Sequence, residues 1–261
     1  MPGNRPQVLV FDVNETLSDL TPLRLRFEDV GASADLMPLW FAGVLRDGFA
    51  LTAAGAYADF ADVARDGLRR LLASAAPAAG HTGPDHLDHL DHLDRPDHLD
   101  HLDRLDDDQP DDPAGPDDPA GHVLAGFSEL NVHPDVPDGV RALRAAGYRL
   151  TTMTNGSAAL TDGLLTRAGV RDCFEALWDV GGPRRWKPDP RSYAYAVRKA
   201  GVRPADAMLV AVHPWDIDGA RRAGLAGAWL RRGTDAGVYP RTMTAPTLAA
   251  QDLGELARLL G

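Results

Sequence analysis

The chain has 261 residues, 44% of them hydrophobic, a formal net charge of −11 and a single cysteine. That length allows one large α/β domain or a core carrying a smaller insert. No run approaches the roughly 18 apolar residues of a membrane span, Met1-Pro2-Gly3-Asn4-Arg5-Pro6 lacks a signal-peptide apolar core, and Cys173 alone excludes an internal disulfide or a thiolate metal cage. The expectation is a cytoplasmic protein without a membrane partner.

The acidity is local. Between Ala79 and Gly121 there are 14 Asp against Arg95 and Arg104, a net of −12, which leaves about +1 for the rest of the chain. No basic stripe points to nucleic acid.

Val8-Leu9-Val10-Phe11 is an apolar run of the kind buried on both faces of a parallel sheet, and it ends on Asp12. In open α/β sheets ligands bind beyond the carboxyl ends of the strands, so Asp12 stands where such folds do chemistry; its plainer reading is a cap on the following turn. Helical spacing follows through Leu20, Leu23, Phe27 and Val30, then Leu36 to Leu45, then Phe60 to Leu72. This helical block, set directly after the first strand, reads as a lid over that strand's end. Asp85-His86-Leu87 opens a three-residue repeat that recurs to Asp103 and gives way to Asp, Pro and Gly. A period of three fits neither helix nor strand, so a solvated, disordered insert is expected. Its six histidines (His81, His86, His89, His92, His98 and His101) read as expanded repeat in preference to a Zn²⁺ or Ni²⁺ site.

Val123 to Leu130 reads as the last lid helix. Thereafter strands near 148–153, 176–178, 207–212 and 226–230 alternate with helices at 136–146, through Leu160, Leu164 and Leu165, and at 190–200, 216–223 and 253–260. The pattern predicts an α/β fold, a Rossmann-like doubly wound parallel sheet with an inserted mainly helical cap. Right-handed crossovers put every strand-to-helix turn on one edge. Asp12, Thr154-Asn155, His213 and Asp216 all follow strands, and Lys187 precedes the helix opening at Pro190, so these distant residues share one rim. Singly each has a bland reading: Thr16 as a cap, Asn155-Gly156 as a turn, Lys187 as a surface lysine, Tyr193 as core.

Asp12-x-Asn14-x-Thr16, Thr154-Asn155-Gly156-Ser157, Lys187-Pro188-Asp189 and Trp215-Asp216-Ile217-Asp218-Gly219-Ala220 stand in the order and spacing of the haloacid dehalogenase (HAD) superfamily. The sequence most resembles its type II L-2-haloacid dehalogenases, over nearly all of the chain except the Asp/His tract. The resemblance implies a core of residues 1–16 and 129–261 and a cap of residues 17–128 containing the insert at about 79–121. It implies that Asp12 is the nucleophile, attacking the halogen-bearing carbon to form an ester that water opens. Lys187 would keep Asp12 ionised, and Asp216 would hold Lys187 and help position the water. Thr16 and Thr154 would bind the nucleophile or a substrate carboxylate, Asn155 the halide, and Tyr193 would orient the site. Asn14 and Phe41 fall on the substrate side. No cofactor or metal is implied; the substrate is a small molecule, and relatives often form homodimers.

Two departures matter. Most HAD proteins are Mg²⁺-dependent phosphatases, which carry a second Asp where Asn14 stands and an acidic residue where Val212 stands; an amide cannot serve as acid and base for the ester oxygen, and the ion loses a ligand. The dehalogenases carry a halide-binding Arg where this chain has Phe41, with Arg24, Arg26 and Arg46 as possible substitutes, and a Ser and an Asn where it has Ala211 and His213. His213 is either a water-activating base or a turn histidine before Pro214. The expectation is a dehalogenase with a more apolar pocket, the alternatives being a phosphatase or a non-catalytic HAD-like binding protein.

Overall fold

The computed structural model describes residues 5–75, 118–232 and 237–261. The six histidines of the repeat and nearly all of its aspartates lie outside the described residues. Six parallel strands form one sheet in the order β3-β2-β1-β4-β5-β6: β1 (Val8–Phe11), β2 (Arg149–Thr154), β3 (Phe174–Asp179), β4 (Ala207–Ala211), β5 (Ala226–Leu230) and β6 (Leu248–Ala250). Every residue of β1 and β4 is buried, as expected of central strands covered on both faces. The strand order reverses between β2 and β4 around β1, the topological switch point where open α/β sheets form their crevice. Asp12, directly after β1, lies at that point.

The helices are α1 (Leu23–Asp29), α2 (Leu36–Ala53), α3 (Phe60–Ala75), α4 (Pro119–Ala125), α5 (Val136–Ala145), α6 (Ala158–Arg167), α7 (Pro190–Ala200), α8 (Pro214–Arg222) and α9 (Leu253–Leu260). Local chemistry explains several boundaries. Ser157 caps α6 by accepting from Leu160 N, and Asp189 caps α7 by accepting from Arg191 N with Pro190 in the first turn. Gly201 ends α7 in the left-handed region at φ 69°, where a Cβ would be strained. The helix expected from Val123 to Leu130 is instead α4, ending at Ala125, followed by a 3-10 turn from Gly126 to Ser128. Strand β6, three residues long, is additional to the strands expected. No helix among the described residues is long and apolar enough to cross a membrane.

Helices α1 to α4 form a layer of their own, with α2 packed on α3 and α4 against α1 and α3. One aromatic residue ties this layer to the segment that carries Lys187. Trp186 is fully buried. Its backbone N donates to Thr52 Oγ1 and its indole Nε1 to Ala58 O, both at 3.0 Å, and its ring stacks on Phe60 at a centroid distance of 6.0 Å. Gly48 of α2 leaves room for the indole: a Cβ there would lie 2.3 Å from a Trp186 ring carbon.

Replacing a helical Gly by Ala ordinarily gains up to about 1 kcal/mol. At Gly48 the overlap with an indole fixed by two hydrogen bonds opposes that gain. Gly48→Ala is therefore expected to destabilise the protein by roughly 1–3 kcal/mol, read as a fall in the urea midpoint; an unchanged or higher midpoint would refute this account of the contact.

Candidate active site

Four separate stretches of chain deliver a charged cluster to the carboxyl edge of the sheet. Lys187 Nζ donates to Asp12 Oδ1 at 2.9 Å and to Asp216 Oδ2 at 2.5 Å, and the three side chains are 0–5% exposed. Thr16 Oγ1 donates to the other Asp12 oxygen, Oδ2, at 2.7 Å, while accepting from Val212 N at 3.1 Å. Tyr193 OH donates to Asp216 Oδ1 at 2.6 Å. Asn155 grips the backbone of Lys187 from both sides: its Oδ1 accepts from Lys187 N at 2.8 Å and its Nδ2 donates to Lys187 O at 3.3 Å. Neither β2 nor the loop before α7 could set the lysine's position alone; the side-chain clasp between them does.

Electrostatics follow from this packing. Burial would push the Asp12 carboxyl up, but the Lys187 ammonium, His213 and the hydrogen bonds from Lys187 and Thr16 outweigh it and hold Asp12 below its ordinary range. Burial would pull Lys187 down, yet the two carboxylates beside it hold it above the ordinary lysine value. Asp216 is raised, burial prevailing over the attraction of Lys187. Burial, with Asp216 next to it, pushes the Tyr193 phenol well above its usual value, so it serves as a neutral O–H donor. The arrangement is an anionic Asp12 kept ionised without water around it, the state a carboxylate nucleophile requires.

Two cavities are lined by residues that follow Asp12, Val13 and Asn14 in one and Glu15 in the other. Toward β2, a narrow cavity of about 20 Å³ is lined by apolar residues such as Phe60, Phe127 and Leu160 together with polar ones such as Asn14, Thr154 and Ser157, and none of its lining residues is charged. Thr154 Oγ1 accepts from Gly156 N at 2.9 Å, which leaves its own proton to donate. Gly156 keeps this corner open: a Cβ there would lie 3.3 Å from both Asn14 Nδ2 and Thr154 Oγ1, a tight approach. Toward β5 a second, wider cavity of about 400 Å³ is lined by Glu15, Arg24, His133, His213 and Arg232, among others.

The structure thus brings Asp12, Thr16, Lys187, Tyr193, Asp216, Asn155 and His213 together, and places Asn14 and Thr154 on the first cavity. Tyr193 and Asn155 touch Asp216 and Lys187 respectively. Phe41 sits in a ring cluster, 6.4 Å from both Trp40 and Phe60, and reaches the first cavity only through Phe60. Arg24 pairs with Asp35, Arg26 with Glu129 and Arg46 with Asp47; of the three, only Arg24 lines a cavity described here, the second one. Sequence reasoning missed Glu15, whose carboxylate lies 3.5 Å from His213 Nε2, and Trp186. The sole local sign for Glu15 is a positive φ of 61°, invisible in a string of residues.

A family model described as haloacid dehalogenase-like hydrolase matches residues 6–224. The chain belongs to that hydrolase family. Among curated proteins it is 36% identical over 109 residues to the (S)-2-haloacid dehalogenase of Pseudomonas sp. (strain YL), covering 42% of this chain and 44% of that one. It is 32% identical over 106 residues to haloacetate dehalogenase H-2 of Moraxella sp. (strain B), covering 41% and 47%. The aligned part thus spans a little under half the length of these relatives. Among solved structures, L-2-haloacid dehalogenase from Xanthobacter autotrophicus with chloropropionic acid covalently bound superposes at a TM-score of 0.75 with 22% identity, covering 98% of each chain. The HAD-hydrolase YfnB from Bacillus subtilis bound to magnesium gives 0.67 with 17% identity, covering 99% and 100%. At such identities the structural matches establish the fold.

Removing the ammonium would leave two buried carboxylates facing each other without a counter-charge. Lys187→Met is expected to lose roughly 3–5 kcal/mol of stability in urea unfolding, whereas Arg191→Ala, which breaks an exposed pair with Asp189, should move the midpoint little. A Lys187→Met protein as stable as the parent would show that the cluster is not charged as described.

Proposed function

We propose that the chain is a hydrolytic dehalogenase acting on (S)-2-haloacids or a related organic halide through a covalent ester on Asp12. The observation that carries this reading is the Asp12 carboxylate: ionised, nearly waterless, held by Lys187 on one oxygen and Thr16 on the other, with the residues directly after it, Val13 and Asn14, lining a cavity that carries no charged residue. An Asp12 oxygen attacks the halogen-bearing carbon from the side opposite the halide; the carbon–oxygen bond forms as the carbon–halogen bond breaks. Water then adds at the Asp12 carboxyl carbon and the ester bond opens, releasing the alcohol and restoring Asp12. The curated relatives bear dehalogenase names, which supports the same chemistry.

The residues around the first cavity suit a small organic group with a polar end. Thr154 and Ser157 present hydroxyls, and the N-terminus of α6 begins beside them, a favourable place for a carboxylate. In this reading helices α1 to α4, within residues 17–128, are a cap over a core of residues 1–16 and 129–261, supplying Phe60 and Phe127 to close the cavity. The lining carries no cation, so any stabilisation of the leaving halide comes from neutral donors such as Asn14, Thr154 and Ser157.

Mg²⁺-dependent phosphoryl transfer fits the residues less well. The ammonium of Lys187 occupies the space between Asp12 and Asp216 that a shared cation would need, both Asp216 oxygens are already engaged, and Val212 offers no carboxylate. Asn14 has no proton to give an ester oxygen as an acid would.

Incubation of pure protein with L-2-chloropropionate and longer 2-haloacids should release halide, and Asp12→Asn should lower that release by at least about 1,000-fold, the scale expected for loss of a covalent nucleophile. A single turnover in ¹⁸O water should place label in Asp12. No halide release above the Asp12→Asn control, or clearance of a chromogenic phosphate ester that depends on Mg²⁺ instead, would overturn the proposal.

A further inference from the structure

Opening the ester requires a group that takes a proton from water, and this inference rests on the aspartyl-ester reading above. Asp216 is poorly placed for that task. It is fully buried, with one oxygen held by Lys187 at 2.5 Å and the other by Tyr193 at 2.6 Å. Lys187, charged and bound to both carboxylates, has no lone pair to offer.

The opposite side of Asp12 is differently equipped. His213 Nε2 lies 3.7 Å from Asp12 Oδ2, 3.5 Å from Glu15 Oε2 and 3.3 Å from Asn14 O. A backbone carbonyl can only accept, so the contact with Asn14 O makes Nε2 the N–H nitrogen, with the two carboxylates in its neighbourhood. The ring is fixed by stacking on Trp215 at 5.1 Å and 19°, and Trp215 packs edge-on against Phe49 at 5.0 Å. Glu15 is held in the left-handed region at φ 61°, a conformation costly for a residue with a Cβ, and His133 Nε2 anchors its carbonyl at 3.0 Å. Burial raises the Glu15 carboxyl above the ordinary value, which makes it a stronger proton acceptor. Glu15 and His213 both line the wider cavity, so water reaches them from a different side than the first cavity.

We propose that Glu15 is the general base that activates the hydrolytic water, with His213 as the positioning residue that aligns Glu15 against Asp12. The water oxygen bonds to the Asp12 carboxyl carbon, one water proton passes to the Glu15 carboxylate, and the carbonyl electron pair moves onto the carbonyl oxygen. As that intermediate collapses, the bond from the carboxyl carbon to the ester oxygen breaks and the departing alkoxide takes the proton back from Glu15. The second water proton leaves the re-formed Asp12 carboxyl for solvent. Glu15 and Asp12 end as they began, and the sum is organic halide plus water giving alcohol, halide and one proton.

Rapid-quench halide measurement and intact-protein mass spectrometry separate the two half-reactions. With the best substrate of the haloacid panel, Glu15→Gln should release one halide per site at the parental rate, then turn over at least about 100-fold more slowly, with the ester mass accumulating on the protein. His213→Phe, which keeps the stack on Trp215 and removes the N–H, should show the same burst and a smaller slowing of turnover. Glu15→Gly relieves the positive φ while deleting the carboxylate, so it should melt higher than the parent and still trap the ester; it serves if Glu15→Gln does not fold. Turnover of Glu15→Gln or Glu15→Gly within about threefold of the parent, or loss of burst and turnover together in a folded Glu15→Gly protein, would overturn the inference alone. A parent protein that releases no halide from any substrate would overturn the aspartyl-ester reading and this inference with it.

Discussion

The interaction on which the site depends is the ammonium of Lys187 set between the carboxylates of Asp12 and Asp216 in a space that admits almost no water. Taking ions out of water costs several kcal/mol each even after relaxation, so such a cluster persists only where geometry and extra hydrogen bonds offset the loss. Here Thr16, Tyr193 and the Asn155 clasp provide them. The outcome is chemical as well as structural. A carboxylate stripped of its hydration shell, yet kept charged by a fixed cation, is a far better nucleophile than one in bulk water, and the protein holds Asp12 in that state before any ligand arrives.

That cluster is coupled to the helical layer through the residue before the lysine. Trp186 donates to Thr52 and Ala58, which belong to the segment running from α2 toward α3, and its ring lies against Gly48 and Phe60. A shift of α2 and α3 relative to the sheet moves the indole, and the peptide that follows it is the one gripped by Asn155. The wall that Phe60 gives the first cavity and the placement of the charge on Lys187 are therefore two consequences of one packing arrangement, not independent features.

Much of this was legible in the order of residues. The run Val8-Leu9-Val10-Phe11 could satisfy only a doubly covered strand, and the alternation of strands and helices after residue 136 puts Asp12, Thr154, Lys187 and Asp216 on one edge by handedness alone. Asp189-Pro190 announced α7 through cap chemistry. Other parts had no local signature. Strand β6 is three residues, Leu248-Ala249-Ala250, too short for alternation to register. Phe41, expected on the substrate side, packs among other rings because the roll of α2 is set by its neighbours, not by its own pattern. The place of Glu15 goes with a left-handed backbone angle, and its carbonyl is bonded by a residue more than a hundred positions away, His133.

The amino-acid order by itself determined the parallel sheet, the edge on which chemistry takes place and the family to which the chain belongs, because strand burial, helix caps and right-handed crossovers are local or follow from chirality. Only the tertiary structure decided which oxygens face which nitrogens: that Lys187 bridges two carboxylates, that both Asp216 oxygens are occupied, and that Glu15 and His213 meet beside Asp12. Those outcomes are distances of a few ångströms between groups far apart in the chain. They are set by how whole layers pack, which no single segment specifies.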